Sequence, residues 1–275
     1  MLSVVIPSRT DAYLQKTVDD LVEKASGEIE IIVILDGYMP TRFTGNARTQ
    51  IVKTLYRGMR SAINTGMRFA QGDYVMKLDE HCMLAPGFDF ALIADCEPDW
   101  VVVPRRFRLD ADAWKVIEDG RPPIDYMYNA VKDGSLRGRI WNSRGTQRQN
   151  IPIDETMTFQ GSCYFMHRAY WKSLIHPLDD EHYGPFANEA QEISNKAWLS
   201  GGRVMVNKKT WYAHWHRHRE ARESNLYHFS SAEQTLFSQS IVEGRAYCKD
   251  YWLNDRWPER VHDYQWLADK FGIAE

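Results

Sequence analysis

Three short segments of this 275-residue chain carry residues whose types and spacing suit chemistry. The first is Asp79-Glu80-His81-Cys82. In a strand or its extension, residues two apart project to the same side, so Asp79 and His81 can reach one point in space. A carboxylate and an imidazole converging there form half of a divalent-metal site. An oxygen-plus-nitrogen donor set favours Mn²⁺ over Ca²⁺. Asp-x-His also occurs as a loop cap or a surface ion pair. The second segment runs from Trp211 to His218, with imidazoles at His214, His216 and His218. If it is extended, these three share a face and at least one can supply a third ligand; a solvated strand end has the same pattern. The third is Phe186 to Trp198. There Glu189 and Glu192, three apart, can lie on one helix face. Acidic residues in a first helical turn also complement the helix dipole.

These residues need elements to hold them. Leu2 to Pro7 and Ile29 to Leu35 are apolar, β-branched runs that predict strands. Between them Leu14, Val18, Leu21 and Val22 have helical spacing within 11–24. Ile51 to Leu55 predicts a weaker strand, Tyr56 to Ala70 a helix, and Tyr74 to Leu78 and Val101 to Val103 two more strands. Strands separated by helices imply a mostly parallel α/β sheet covered on both faces. Ligands of such sheets sit at the carboxyl ends of strands, where Asp36 and Asp79 fall. Farther on, a strand is expected from Phe159 to Met166, a helix from Glu189 to Ser200, strands at 204–206 and 211–213, and an aromatic-rich helical tail from Ser224. The stretch from Asn129 to Ile151 is polar and Gly/Ser-rich. Its Lys132, Arg137, Arg139, Arg144 and Arg148 face only Asp133. It reads as a long mobile loop, either solvated surface or part of the active site.

Composition narrows the class. Charged residues make up 26% and hydrophobic ones 44%, which excludes a mainly disordered chain. The net charge of −3 gives no chain-wide basic field to attract nucleic acid. The ten Trp and 14 Tyr supply rings that build cores and also stack on sugars and bases. Cys82, Cys96, Cys163 and Cys248 are far apart with no CxxC pair, the usage of reduced thiols in a cytoplasmic protein. No signal peptide or membrane span is expected: the chain opens directly in a strand pattern, and its longest apolar stretch is too short for a bilayer.

Several segments resemble a known family. Leu2 to Gly37 is similar to the opening of GT-A fold glycosyltransferases: a strand ending in Pro, a helix, and a strand ending in Asp. Gly58 to Gly66, then Ala70 to Val75, resemble the helix and strand that lead to their metal motif. Leu78-Asp79-Glu80-His81-Cys82 is similar to the Asp-x-His form of polypeptide N-acetylgalactosaminyltransferases. Gln160 to Trp171 resembles that family's Gly-Gly-Leu-Phe segment, and Phe186 to Trp198 its Trp-Gly-Gly-Glu-Asn-x-Glu-Leu-Ser helix. Gly201-Gly202 and Ala213-His214 fall where the family has Gly-Gly and Gly-His. Each match is short; the ordered series is specific.

The resemblance, of family 2 and polypeptide N-acetylgalactosaminyltransferase-like type, implies a GT-A (Rossmann-like) catalytic domain over 1–218. Within it, 1–103 would be the nucleotide-binding half. Residues 104–218 would be the acceptor and donor-sugar half carrying the basic loop 129–151, and 219–275 a helical extension packed on the domain. The resemblance gives the metal role, for Mn²⁺ or Mg²⁺, to Asp79, His81 and His214. It implies a nucleotide-sugar donor, most often a UDP-sugar, against Pro7, Ser8, Arg9, Asp36, Arg60, Asp79 and Glu80. Glu189, Glu192 and Arg217 are the candidate catalytic residues. The departures are Phe186 for Trp, Ala187 and Asn188 for two Gly, and Ser162 for Gly, all in the donor and acceptor pocket. Inverting relatives commonly place an Asp after the helix Glu; here that position is Ala190, which implies retention of anomeric configuration. The acceptor is open between a protein hydroxyl, a glycan and a hydroxymethylated DNA base. A metal-dependent hydrolase or nuclease using His214, His216 and His218 is the alternative, and an inactive binding module a second. No G-x-G-x-x-G follows the first strand, which argues against a dinucleotide oxidoreductase.

Overall fold

A computed structural model describes residues 1–216 and 230–273. In chain order its elements are β1 (Leu2–Ser8), α1 (Leu14–Lys24), β2 (Ile29–Asp36), β3 (Thr49–Thr54), α2 (Met59–Phe69), β4 (Tyr74–Leu78), β5 (Cys82–Leu84), α3 (Phe88–Ala94), β6 (Trp100–Asp110) and β7 (Lys115–Val116). There follow β8 (Met127–Lys132), β9 (Ser135–Ile140), α4 (Asn142–Gln147), β10 (Ile153–Glu155), β11 (Cys163–His167) and α5 (Arg168–Tyr170), which runs on into a π-helical turn (Trp171–Ile175). The chain continues through α6 (Glu189–Leu199), β12 (Arg203–His214), α7 (Ser231–Leu253) and α8 (Tyr264–Phe271).

Among the described residues the main sheet has ten strands, in the order β10-β12-β6-β11-β4-β1-β2-β3, with β5 added on β12 and β7 on β6. β4, β1, β2 and β3 are mutually parallel. β11 is antiparallel to both β4 and β6, so β6 and its parallel neighbour β12 run the same way as β4. The carboxyl ends of β1, β2, β4 and β12 therefore reach one edge. That shared edge carries Ser8, Asp36, Asp79 and His214.

The apolar runs of β1 and β2 are continuous because both faces are covered. Leu2, Val4, Ile6, Ile29, Ile31, Val33 and Leu35 enter one core with Leu14, Val18 and Leu21 of α1 and Phe88 and Leu92 of α3. Val5, Ile32 and Ile34 enter the other, with Ile63 and Met67 of α2, Ile193 and Trp198 of α6, and Cys248 and Trp252 of α7. The aromatic tail is therefore core material. Trp252 Nε1 donates to the buried Tyr183 hydroxyl at 2.7 Å. Helix α7 begins with a full capping box, in which Ser230 and Glu233 satisfy each other's backbone N–H groups. The part of the expected tail helix over 224–229 lies outside the described residues.

Two expectations need correction. The stretch 129–151 is not a mobile loop. Most of it is the β8–β9 hairpin, turned by Asp133 (φ 51°) and Gly134 (φ 71°), followed by α4. Two consecutive left-handed residues are what a two-residue hairpin turn requires. Its charges are also less isolated than a local count suggests. Arg148 pairs with Asp154, and Arg144 donates to the Glu155 carbonyl and lies against the Tyr126, Trp141 and Phe271 rings. The second correction joins 204–206 and 211–213 into one strand, β12. A register shift between Asn207 and Trp211 bulges out the residues between them.

Candidate active site

The site starts from strand pairing. β5 runs antiparallel to the end of β12, with Cys82 opposite His214, and the Trp215 N–H donates to the His81 carbonyl at 3.2 Å. That zipper brings His81 and His214 together. The Asp79 N–H donates to the Ser162 carbonyl at 2.8 Å, which fixes the loop leaving β4. His81 Nε2 lies 3.0 Å from His214 Nε2. Asp79 Oδ2 lies 3.3 Å from His214 Nε2 and 4.0 Å from His81 Nε2. One donor atom from each of the three falls within 4.8 Å of the others, so the set can close on a single ion. Two ring nitrogens 3.0 Å apart, with a carboxylate oxygen beside them, are close enough to share one cation.

The electrostatics keep these donors ready. Burial pushes His214 down to about 3, so the imidazole is neutral and its lone pair is available. The exposed His216 ring stands edge-on to His214, with centroids 4.6 Å apart. Burial alone would raise Asp79. The ammonium of Lys77 and the neighbouring imidazoles outweigh it and hold the carboxyl well below the usual range.

Lys77, which sequence reasoning passed over, is fully buried. Its Nζ lies 2.5 Å from Asp79 Oδ1, 2.6 Å from the Gly161 carbonyl and 3.6 Å from Glu189 Oε2. It ties the β4 carboxylate to the first residue of α6. Gly161 is required there, because a Cβ would sit 2.7 Å from Glu189 Oε2. The available signal was one charge inside the apolar run of β4.

A cleft of about 620 Å³ opens over this edge. At one end it is lined by Pro7, Ser8, Arg9, Asp36 and Tyr56. Asp36 accepts from the N–H groups of Arg57 (2.8 Å) and Gly58 (3.0 Å), and burial raises its pKa. Arg9 donates to the carbonyls of Asp36 and Gly37 and lies 4.6 Å from the centre of the Tyr56 ring. Gly58 has φ 95°, and a Cβ on it would meet Pro185 Cβ at 2.1 Å, so the turn that holds Asp36 admits only glycine. Glu80 also lines the cleft, but its carboxylate accepts from the Ser8 hydroxyl and from the N–H groups of Arg9 and Thr10, and burial raises it to about 8. Its contacts anchor the turn after β1. Its walls also include Phe186, Trp215, His216, Phe237 and Ile241, so α7 covers part of the opening.

Three of the residues expected in the site do not line the cleft. Arg60 is fully buried. It donates to the carbonyls of Asp179 (2.8 Å) and Ala187 (2.7 Å), pairs with Glu192, and sits 4.3 Å from the Tyr183 ring centre. Arg60 and Glu192 thus form an internal strut between α2 and α6, with Lys196 on the other Glu192 oxygen at 2.8 Å. Both pointed inward for a packing reason: α2 and α6 cover the same sheet face. Glu189 is buried behind Gly161, joined to the cleft through Lys77. Arg217 and His218 lie outside the described residues.

A mostly parallel sheet flanked by helices, with donor atoms gathered at the strand ends, defines a GT-A type α/β fold. Residues 3–175 match glycosyl transferase family 2, and the chain belongs to that family. No curated protein matches it in sequence. Among solved structures, GalNAc-T7 with UDP, GalNAc and Mn²⁺ shares 17% identity at a TM-score of 0.64, over 100% of this chain and 55% of that one. TarS residues 1–349 from S. aureus, in complex with UDP-GlcNAc, shares 18% identity at a TM-score of 0.55, over 98% of this chain and 71% of that one. The chain thus spans about half the length of the GalNAc-T7 chain.

Proposed function

We propose that the chain transfers a sugar from a UDP-sugar to an acceptor hydroxyl, with a divalent cation held by Asp79, His81 and His214. The observation that carries this reading is the meeting of these three donors, from two distant segments, on the floor of a cleft at the strand ends. When bound, the cation supplies positive charge for the departing diphosphate. The residues do the rest. Arg9, Asp36 and Tyr56 form the end of the cleft that takes the nucleotide, with a planar guanidinium stacked on an aromatic ring. Lys77 holds Asp79 and Glu189 in place. The division into a nucleotide half (1–103), a second half (104–218) and a C-terminal extension (219–275) belongs to the same reading. So does a cytoplasmic location, which the four free thiols support. No helix among the described residues is long and apolar enough to cross a membrane.

Retention of configuration is part of the proposal. The carboxylates that line the cleft are engaged: Asp36 by backbone N–H groups, Glu80 by the 8–10 turn, Asp79 by Lys77 and the imidazoles. Ala190, after the first helix residue, offers no proton acceptor. The acceptor oxygen then attacks the anomeric carbon from the leaving-group side. The carbon–phosphate-oxygen bond breaks with its electron pair going to phosphate, and that oxygen takes the acceptor's proton. The acceptor class is a protein hydroxyl, a glycan or a hydroxymethylated base in DNA. A thermal-shift screen of nucleotide diphosphates with and without Mn²⁺ tests the donor reading. A rise in Tm by UDP that requires Mn²⁺ is expected; phosphodiester hydrolysis without UDP binding would defeat it. Product NMR reads the anomeric outcome.

A further inference from the structure

We infer that the outer edge of the sheet, along β3, binds a nucleic-acid strand, and that this strand brings the acceptor hydroxyl to the cleft. This rests on the transferase reading above and narrows its acceptor to one class. No Asp or Glu occurs between Asp36 and Asp73, although the chain has more acidic than basic residues, 37 against 34. The same stretch carries six cations. Four of them, Arg42, Arg48, Lys53 and Arg57, are exposed, and among the described residues their side chains form no ion pair or hydrogen bond. The carboxylates of Asp11 and Asp36 touch this segment, but they accept from its backbone: Asp11 from the Thr41 and Arg42 N–H groups, Asp36 from those of Arg57 and Gly58.

Strand order separates these charges from the donor. Among the described residues β3 is the last strand on its side of the sheet. Val52 packs into the core under α2, so Ile51 and Lys53 stand on the opposite face, where Gly45 of the preceding loop lies against Thr49 and Ile51. Lys53 is opposite Leu35, at the carboxyl ends where the cleft opens. Thr49 is opposite Ile31, which puts Arg48 at the amino end, about 17 Å along the strand from Lys53. A donor runs the other way, from Asp36 on β2 across β1 to the metal-ligand candidates after β4. Arg48 and Lys53 therefore lie outside it. A single lysine can guard an edge strand against pairing with another chain. Four cations spread over a loop, a strand and a turn exceed that need.

A row of cations of this length suits a linear polyanion, and a nucleic-acid strand carries a phosphate about every 3.4 Å of duplex axis. The row also leads into the cleft. Tyr56, between Lys53 and Arg57 in the chain, is 37% exposed and lines it, as do Phe186, Trp215 and Phe237. Cations that follow a backbone, with aromatic rings on which bases stack, are the combination that holds single strands. An anionic lipid surface would meet the same cations, and Leu55, 86% exposed, would enter it. A lipid surface has no use for the ring-lined cleft, whereas a strand has to enter it to be glycosylated. The transfer is unchanged: the strand's hydroxyl oxygen bonds the anomeric carbon, and its proton passes to the leaving phosphate.

Fluorescence anisotropy of a labelled single-stranded oligodeoxynucleotide with the full chain, at several salt concentrations, is the test. Affinity should fall with salt, with a slope of log K on log salt of about −3 for four phosphate contacts. The double variant Arg48→Gln with Lys53→Gln should bind about tenfold more weakly, with about half that slope. Neither residue lines the cleft, so UDP with Mn²⁺ should stabilise this variant as it does the wild type. Wild-type affinity and slope in the variant would overturn the inference. Lys115→Gln with Lys172→Gln removes the same charge elsewhere and should bind like wild type; an equal loss there would reduce the effect to net charge and also overturn it. Vesicles containing phosphatidylserine are the other probe. If the edge variant loses vesicle binding and keeps oligonucleotide binding, the edge belongs to a membrane and the inference fails. With a strand bearing a hydroxymethylated base as acceptor, the edge variant should raise KM and leave kcat unchanged. If UDP with Mn²⁺ stabilises neither protein while the oligonucleotide discriminates them, the donor reading fails and the strand-binding edge stands.

Discussion

Asp79→Ala should abolish the Mn²⁺-dependent part of UDP stabilisation and lower sugar transfer by about 10²–10³-fold or more. Asp79 is the one anionic member of the three-residue set, and its Oδ2 faces both imidazoles. Without it, two neutral rings remain beside the ammonium of Lys77, and a dication has no negative first partner. The measurement is titration calorimetry of Mn²⁺ with and without UDP, alongside turnover. Retention of wild-type Mn²⁺ affinity in the variant would remove Asp79 from the site. His214→Ala is the companion variant, because it leaves the Lys77–Asp79 pair in place. It should weaken Mn²⁺ binding with a smaller loss of stability than changes at Lys77.

Lys77→Met should be the most destabilising single change in the site, costing about 3–5 kcal/mol. The ammonium is fully buried and compensates two carboxylates, Asp79 at 2.5 Å and Glu189 at 3.6 Å. Methionine fills much the same volume, so packing is retained and the loss is electrostatic. It strips the partner from one buried carboxylate and from one that is 20% exposed. Denaturant unfolding reads the effect as a lower midpoint with an unchanged slope. The double variant Lys77→Met with Glu189→Gln should recover part of the loss, because one of the orphaned charges is gone. A double variant no more stable than Lys77→Met would mean that Glu189 is not compensated by Lys77.

Much of the scaffold was legible locally. The runs Leu2 to Pro7 and Ile29 to Leu35 are strands whose every residue is buried or nearly so, and the helices over 14–24, 59–69 and 189–199 follow the apolar spacing and the glycine stops. One legible signal was missed: Asp133-Gly134, an αL–αL hairpin turn between two short strands, sat in a stretch judged by its polarity. The bulge in β12 was not legible. Lys208 and Lys209 interrupt an apolar pattern as a loop would, and only the continued pairing with β6 keeps the two halves in one strand. Arg60 and Glu192 show the same limit from the other side. Each looks like a site residue by type, and each is buried because α2 and α6 pack together and bury the pair between them.

The order of strands and helices over the first hundred residues, the two-sided burial of the parallel strands and the projection of Asp79 and His81 to one side follow from the amino-acid sequence alone, because periods of two and 3.6 residues are properties of neighbouring positions. The choice of His214 as their partner, 133 residues away from His81, was decided by the pairing of β5 with β12. So was the counter-charge at Lys77. Solvation and charge compensation depend on which groups meet in space, and contacts between distant segments leave no periodic trace in the chain.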